Sequence, residues 1–310
     1  MHRALRIGLV VGALSLLAPG ACPALAGQVP RLPTLEERLR LISAHPRPPR
    51  LEPRPLPLSG QDDFDVTAYD LSVNVDTSAR RIDGSCTISF KAAPGISAVG
   101  ELVLDLDSAL AVTAPVTRRG SLDPVPHAHQ AGVLRIPLDP PLTAGQTGAV
   151  TVRYGGQPRQ DDGVGLQFST YVGAGVLSPS VYTLSEPYRA RTWWPCKDRP
   201  DDKATVVLRV ETRSNLAVVG NGTQFAVLPS NRDGRIVSIW REQRPIATYL
   251  VAFAAAIYES CTESYQSAVD PGAAFPITTW AFPDKIAEAC ADFGVAVEQM
   301  PYFEEAFGPY

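Results

Sequence analysis

Glu186 stands before Pro187 in the stretch LSEPYRARTWWPCKDRPDDKA, residues 184–204, where charges, prolines and two adjacent tryptophans are concentrated. A proline ring disfavours the helical region for the residue before it, so Glu186 is expected to be extended at a stiff turn. A carboxylate held there, and partly withdrawn from water, would grip an ammonium group through charge-assisted hydrogen bonds. Taken alone, a glutamate in a turn is an ordinary solvated group. Histidine chemistry is sparse. The chain has 4 histidines, His2, His45, His127 and His129, and no two stand four apart, so no H-E-x-x-H zinc helix can form from them. His127 and His129 would share a face if extended. They lie in a loop-like stretch without a Glu or Cys at ligand spacing, so no metal site is expected there. G-x-S-x-G, G-x-x-x-x-G-K-[ST] and dinucleotide-binding fingerprints are absent. From these residues alone, neither a catalytic group nor a metal ligand is assigned to this chain.

The elements that must position Glu186 read as strands. Tyr69, Leu71, Val73 and Val75 alternate with Asp70, Ser72, Asn74 and Asp76, which gives a strand with one wet face. Asp83-Gly84 is then expected to turn the chain, with Cys86, Ile88 and Phe90 facing inward on the returning strand. Leu102, Leu104 and Leu106 repeat the pattern against Val103, Asp105 and Asp107. Further strands are expected at 133–138, 149–154, 206–210, 216–219, 225–228, 236–240, 249–257 and 276–281. Asn221-Gly222 predicts a hairpin turn. Short strands so regularly punctuated point to an antiparallel sandwich or curved sheet. Near the end, Asp284 is the expected N-cap of a helix whose apolar stripe is Ile286, Cys290, Phe293 and Val297. Pro301 is expected to interrupt it, and Phe303 and Phe307 continue the stripe.

The 310 residues suffice for about two domains, and 45% hydrophobic against 19% charged residues can bury a sizeable core. A net charge of -4 leaves no basic field to hold nucleic acid. His2, Arg3 and Arg6, the apolar run Ile7 to Leu17 and Ala24-Leu25-Ala26 predict an export signal over residues 1–26. Periplasmic or secreted placement follows, with lipid anchoring through Cys22 the weaker option. No later segment is apolar for long enough to span a membrane. Residues 27–62 read as a proline-rich tether with a short helix at 35–43, opened by a Thr34/Glu37 capping box. Outside the signal, Cys86, Cys196, Cys261 and Cys290 allow three full pairings, which sequence does not decide.

Taken together, these segments resemble the aminopeptidase N family of zinc metallo-aminopeptidases, which includes the leukotriene hydrolases. Its pattern E-P-x-x-A-R-x-x-F-P-C-x-D-x-P-x-x-K-A is matched without a gap at Glu186, Pro187, Ala190, Arg191, Pro195, Cys196, Asp198, Pro200, Lys203 and Ala204, with Trp194 as the aromatic. Tyr69-Asp70-Leu71 with Asp83-Gly84 resembles the family's opening hairpin, Asp162-Gly163-Val164-Gly165-Leu166 its glycine-rich approach to this motif, and Val219-Gly220-Asn221-Gly222 and Tyr249-Leu250-Val251-Ala252-Phe253 its later strands. Residues 302–310 are similar to the helix that opens its catalytic domain. The likeness covers about 66–310.

The resemblance implies a mainly β fold. Residues 63–257 would form a saddle-like antiparallel β-sandwich, and 258–310 the first strand and helix of a truncated α/β, thermolysin-like catalytic domain. It also implies that Glu186 binds the free α-amine of a peptide substrate. Arg191, Asp198 and Lys203 are read as holding the turn by ion pairs, and Trp193 and Trp194 as packing anchors. Zn2+ would be held by the missing catalytic part, not by these residues, so the chain is expected to be inert alone. The alternative is a stand-alone, exported, non-catalytic peptide-binding module.

Overall fold

The computed structural model describes residues 58–310, except 122, 161, 162 and 174, together with the backbone of residues 7 and 8. Apart from the backbone of residues 7 and 8 and residues 58–62, the expected signal segment and the tether, with its capped helix, His2, His45 and Cys22, lie outside the described residues.

Period-two alternation builds the first two strands, β1 (Phe64–Asp76) and β2 (Arg81–Ala92). Tyr69, Leu71, Val73 and Val75 are buried, as are Cys86, Ile88 and Phe90. The expected turn at Asp83-Gly84 is not one. The chain turns over residues 77–80, where the Asp76 Oδ1 accepts the Ser78 and Ala79 amides at 2.9 Å each. Gly84 instead sits mid-strand, paired with Val73 on one side and Tyr154 on the other. A Cβ at Gly84 would lie 2.6 Å from the Ser72 carbonyl and 2.9 Å from the Tyr154 ring, so close approach of a neighbour, not a turn, requires the glycine.

The following strands are β3 (Val99–Asp105), β4 (Leu110–Val112), β5 (Val116–Arg118), β6 (Pro124–Val125), β7 (Ala128–Gln130), β8 (Val133–Leu142) and β9 (Thr147–Gly156). β3 departs from one-sided alternation: Leu102, Val103, Leu104 and Asp105 are all buried. Next come β10 (Gly165–Gly173), β11 (Val176–Leu184), β12 (Lys203–Arg213), β13 (Ala217–Gly220), β14 (Thr223–Pro229), β15 (Arg235–Ala247) and β16 (Phe253–Ala256). The largest sheet runs β14-β15-β12-β1-β2-β9-β5-β6, with β4 also on β9. Four strands form β10-β11-β16-β13, and three form β3-β8-β7. Among these, the β1–β12 pair is parallel, against the antiparallel expectation. The intervening chain is long enough for the crossover that a parallel pair demands.

Asn221-Gly222 does turn the chain, with Gly222 at φ +75°, but it closes no hairpin. β13 pairs with β16 and β14 with β15, so this turn passes the chain from one sheet to another. Likewise, 249–257 is not one strand: Thr248–Leu250 is a 3-10 turn ahead of β16.

The remainder adds β17 (Glu259–Gln266), which lacks an apolar rhythm to announce it, and β18 (Ala274–Ala281). The backbone of Ile7–Gly8 pairs in parallel with Ile277 and Thr278. Helices α1 (Ile286–Phe293) and α2 (Val295–Phe307) follow. Cys261 and Cys290 form a disulfide that ties α1 to β17, and Cys86 and Cys196 are free and buried. Asp284 does not cap α1. Lys285 flanks the helix, and the Asp284 carboxylate accepts a hydrogen bond from the Tyr171 hydroxyl instead. Pro301 lies inside α2, and the break falls at Gly294. A polar anchor fixes α2: buried Glu304 accepts from the Tyr265 hydroxyl at 2.8 Å, the Ser267 hydroxyl at 3.0 Å and the Ala268 amide at 2.9 Å. Phe303 and Phe307 are exposed.

Gly84→Ala tests the corrected reading of the first hairpin. With strand backbone and a packed ring on either side, the added methyl is expected to cost about 1–3 kcal/mol. A loss of less than a few tenths in denaturant unfolding would contradict the packing described.

Candidate functional site

Strand β11 delivers the chain to Ser185, and the motif then folds over the core rather than along it. The Arg189 amide bonds back to the Ser185 carbonyl at 2.9 Å, and a 3-10 turn covers Ala190–Thr192. Between them the Glu186–Pro187 peptide is cis. Three contacts fix this loop from below. The Trp193 indole Nε1 donates to the Ser185 hydroxyl at 3.2 Å, and the Thr192 hydroxyl donates to the Arg189 carbonyl at 2.6 Å. Gly165, at φ +77°, passes so close that a Cβ would lie 2.1 Å from the Thr192 hydroxyl.

Trp193 and Trp194 are both fully buried, as expected of packing anchors. Trp194 meets the Tyr69 ring edge-on at 4.7 Å between centroids, and Trp193 meets Phe253 at 5.6 Å. Above this floor Glu186 is exposed, and it forms no hydrogen bond or ion pair with the described residues. Leu184 and Tyr182 beside it are also exposed. The exposure of Glu186 corrects the expectation of a carboxylate partly withdrawn from water. The turn is rigid as expected, but these residues supply no wall over it.

A layer of buried charge supports the loop. Asp105, at the end of β3, accepts from the Gln61 amide at 2.8 Å and from the Asp198 backbone amide at 3.0 Å. Arg191 Nη1 lies 3.6 Å from the same Asp105 carboxylate. Asp198 accepts from the Thr248 hydroxyl at 3.2 Å and the Arg191 amide at 3.4 Å. The expected ion-pairing of Arg191 is therefore found, although Asp198 holds the turn through hydrogen bonds. Lys203 does not take part: it is exposed at the start of β12. Lys197 does this work instead. Its ammonium is buried, 2.5 Å from Asp202, and donates to the Phe64 carbonyl at 2.6 Å. Asp202 in turn accepts the Val66 amide at 3.3 Å. Lys197 and Asp202 were missed in the sequence. The available signal was the density of charges in KDRPDD immediately after two tryptophans, more charge than a solvated loop on a buried platform needs.

Other candidates separate. His129 hydrogen-bonds through Nε2 with the Leu106 carbonyl at 2.8 Å, while His127 is exposed. Among the described residues, no group of three or more His, Cys, Asp and Glu side chains converges to hold a metal ion. The zinc that the motif resemblance implies finds no ligand set here, and no chemical step is assigned to it. Burial pushes the Cys86 and Cys196 thiols well above their usual range, which suits packing groups rather than nucleophiles.

Asp198 is pushed up to about 6, first by burial and then by the charge of Asp105. A folded-state value above the unfolded one means that the native state holds the extra proton between about pH 4 and 6, so this group's contribution to stability falls as pH rises through that window. Asp198→Asn removes the titration and keeps an acceptor. Unfolding measured from pH 4 to 7.5 should therefore show a flatter pH slope in the variant and a relative gain of about 1–3 kcal/mol above pH 6. Parallel pH profiles for the two proteins would refute this account.

Comparison with known proteins places these features in context. The family model described as the peptidase M1 N-terminal domain matches residues 66–250. The glutamyl aminopeptidase of Bos taurus is 27% identical over 150 residues, covering 47% of this chain and 14% of that protein. The aminopeptidase N of Lactobacillus delbrueckii subsp. lactis is 26% identical over 248 residues, covering 79% of this chain and 26% of that protein. The chain thus spans about a quarter or less of the length of these two relatives. A mutant M1 zinc metallopeptidase of Deinococcus radiodurans, crystallised with a Tyr-Ser-Ala substrate, superposes at TM-score 0.62 with 23% identity, over 80% of this chain and 54% of that one. That likeness speaks for the fold. With a family match over more than half its residues, carried on the strands and the loop just described, the chain belongs to the peptidase M1 family through its N-terminal domain.

Proposed function

We propose that this chain is the N-terminal portion of an exported zinc metallo-aminopeptidase, and that Glu186 receives the free α-ammonium of a peptide substrate. The carrying observation is the contrast at the motif. Everything beneath Glu186 is buried and cross-braced, while its own carboxylate is exposed and has no partner among the described residues. An exposed, unpaired glutamate is ordinary at a turn; what supports a binding role is that the loop beneath fixes its position while its charge stays free for a ligand.

Electrostatics set what the group can do. Two opposite charges 4 Å apart attract by about 1 kcal/mol in water and about 4 kcal/mol at an effective dielectric of 20. An open Glu186 is therefore a weak handle by itself. It becomes a strong one when a second wall excludes water, and an internal amide, lacking a charge, gains nothing there. Selection for a free N-terminus follows from this difference. In this reading peptides are the partners and the metal is bound by polypeptide beyond these residues. Zinc, when bound there, would activate the water that attacks the amide. This chain's part is to hold and orient the substrate's charged end.

Two measurements test the reading. The purified chain, assayed on aminoacyl chromogenic substrates with and without added zinc, is expected to show no metal-dependent turnover. Sustained zinc-dependent hydrolysis by this polypeptide would refute it. In a polypeptide that also carries an H-E-x-x-H site, Glu186→Ala is expected to raise KM by roughly tenfold or more through the lost charge pair. An unchanged KM would remove Glu186 from the site.

A further inference from the structure

A second concave site lies away from the motif, where the strands β2, β5 and β9 of the large sheet meet β8. It is a cavity of about 530 Å³, within the usual range for small-ligand pockets. Its apolar lining includes Phe90, Leu138 and Leu142, and its cationic lining is Arg118 and Arg119. No Asp or Glu lines it. On a chain of net charge -4, a cavity lined by two arginines and no acidic side chain is a local reversal of sign.

The two arginines are held differently. Arg118 Nη2 donates to the Asp139 carbonyl, which pins that side chain against the β8 wall and leaves its other donors available. Arg119 is fixed by its backbone, whose amide bonds the Ala149 carbonyl at 3.0 Å, while its exposed guanidinium has no partner among the described residues. Beneath them Phe90 and Leu138 are almost fully buried. Gly148 leaves no side chain of its own between them: a Cβ there would lie 2.8 Å from the Phe90 ring and 2.9 Å from Leu142. A guanidinium fork matches a carboxylate in geometry and charge, and the floor matches an alkyl chain.

We infer that this cavity binds a medium-chain alkyl monocarboxylate, with the carboxylate on Arg118 and Arg119 and the tail against Leu142 and the edges of Phe90 and Leu138 that line the cavity. The inference does not depend on Glu186 or on any peptidase activity.

Calorimetric titration of the full chain with octanoate tests it. Saturable binding is expected, weakened roughly tenfold or more by Arg119→Gln, the loss of about 1.4 kcal/mol. Octan-1-ol, which lacks the charge, and acetate, which lacks the tail, should each bind at least tenfold more weakly. Arg119 is exposed, so its variant should keep the parent's circular dichroism and melting temperature. Phe307→Ser, on the other exposed apolar surface, should bind octanoate as the parent does. Absence of saturation at about 5 mM, a value well above ordinary small-ligand affinities, would overturn the assignment. So would equal binding by Arg119→Gln, equal binding of octanol, or loss of binding in Phe307→Ser alone.

Discussion

A lysine ammonium and a carboxylate buried 2.5 Å apart set the terms for the whole motif region. Removing two charges from water costs several kcal/mol per ion, and only good geometry with further hydrogen bonds repays it. Lys197 finds that geometry by reaching the Phe64 carbonyl, and Asp202 finds it by taking the Val66 amide. Both acceptor and donor lie at the start of β1, more than a hundred residues earlier in the chain. The motif loop is therefore clamped to the first strand by backbone groups, which do not change with side-chain substitution. Tyr69 extends the clamp, its hydroxyl accepting the Lys197 amide at 3.1 Å while its ring carries Trp194. Around this fixed point Asp105 and Asp198 complete a charged layer. Glu186 stands above it with its position set and its charge uncommitted.

Under the proposed role of Glu186, this arrangement would divide the labour of recognition. Rigidity comes from groups that are wholly buried, and affinity would be left to a group that is not. A carboxylate on a floppy loop would lose part of its interaction energy to ordering on binding. Here that entropy was lost when the loop folded. What the described residues lack is a low-dielectric wall, so the strength of the site depends on whatever covers it.

Strand identity was legible because burial on one face leaves a period of two, and the inward positions of β1 and β2 are those the sequence indicated. Turns were less so. Asp-Gly is a strong hairpin cue, yet Asp76 made a better turn with its own side chain. Gly84 was needed for a reason no local rule carries, the ring of Tyr154 on the neighbouring strand, seventy residues on in the chain. The same holds in the charged layer. Lys203 looked structural by motif position and Lys197 did not. The difference lies in which side chain faces β1, and contacts across 133 residues leave no rhythm in the sequence. The cavity at Arg118 and Arg119 was equally silent, because its lining is gathered from five strands.

The parallel seam between β1 and β12 has a consequence for synthesis. The first strand of the domain cannot acquire its second neighbour until residues 203–213 have left the ribosome, and β12 is itself flanked only when β15 follows. Until then one edge of the β1–β2 ribbon stays open, offering unpaired backbone to any passing strand. A nascent chain of this domain must wait, half-sheeted, for well over a hundred codons, and it is over that interval that chaperones would find it.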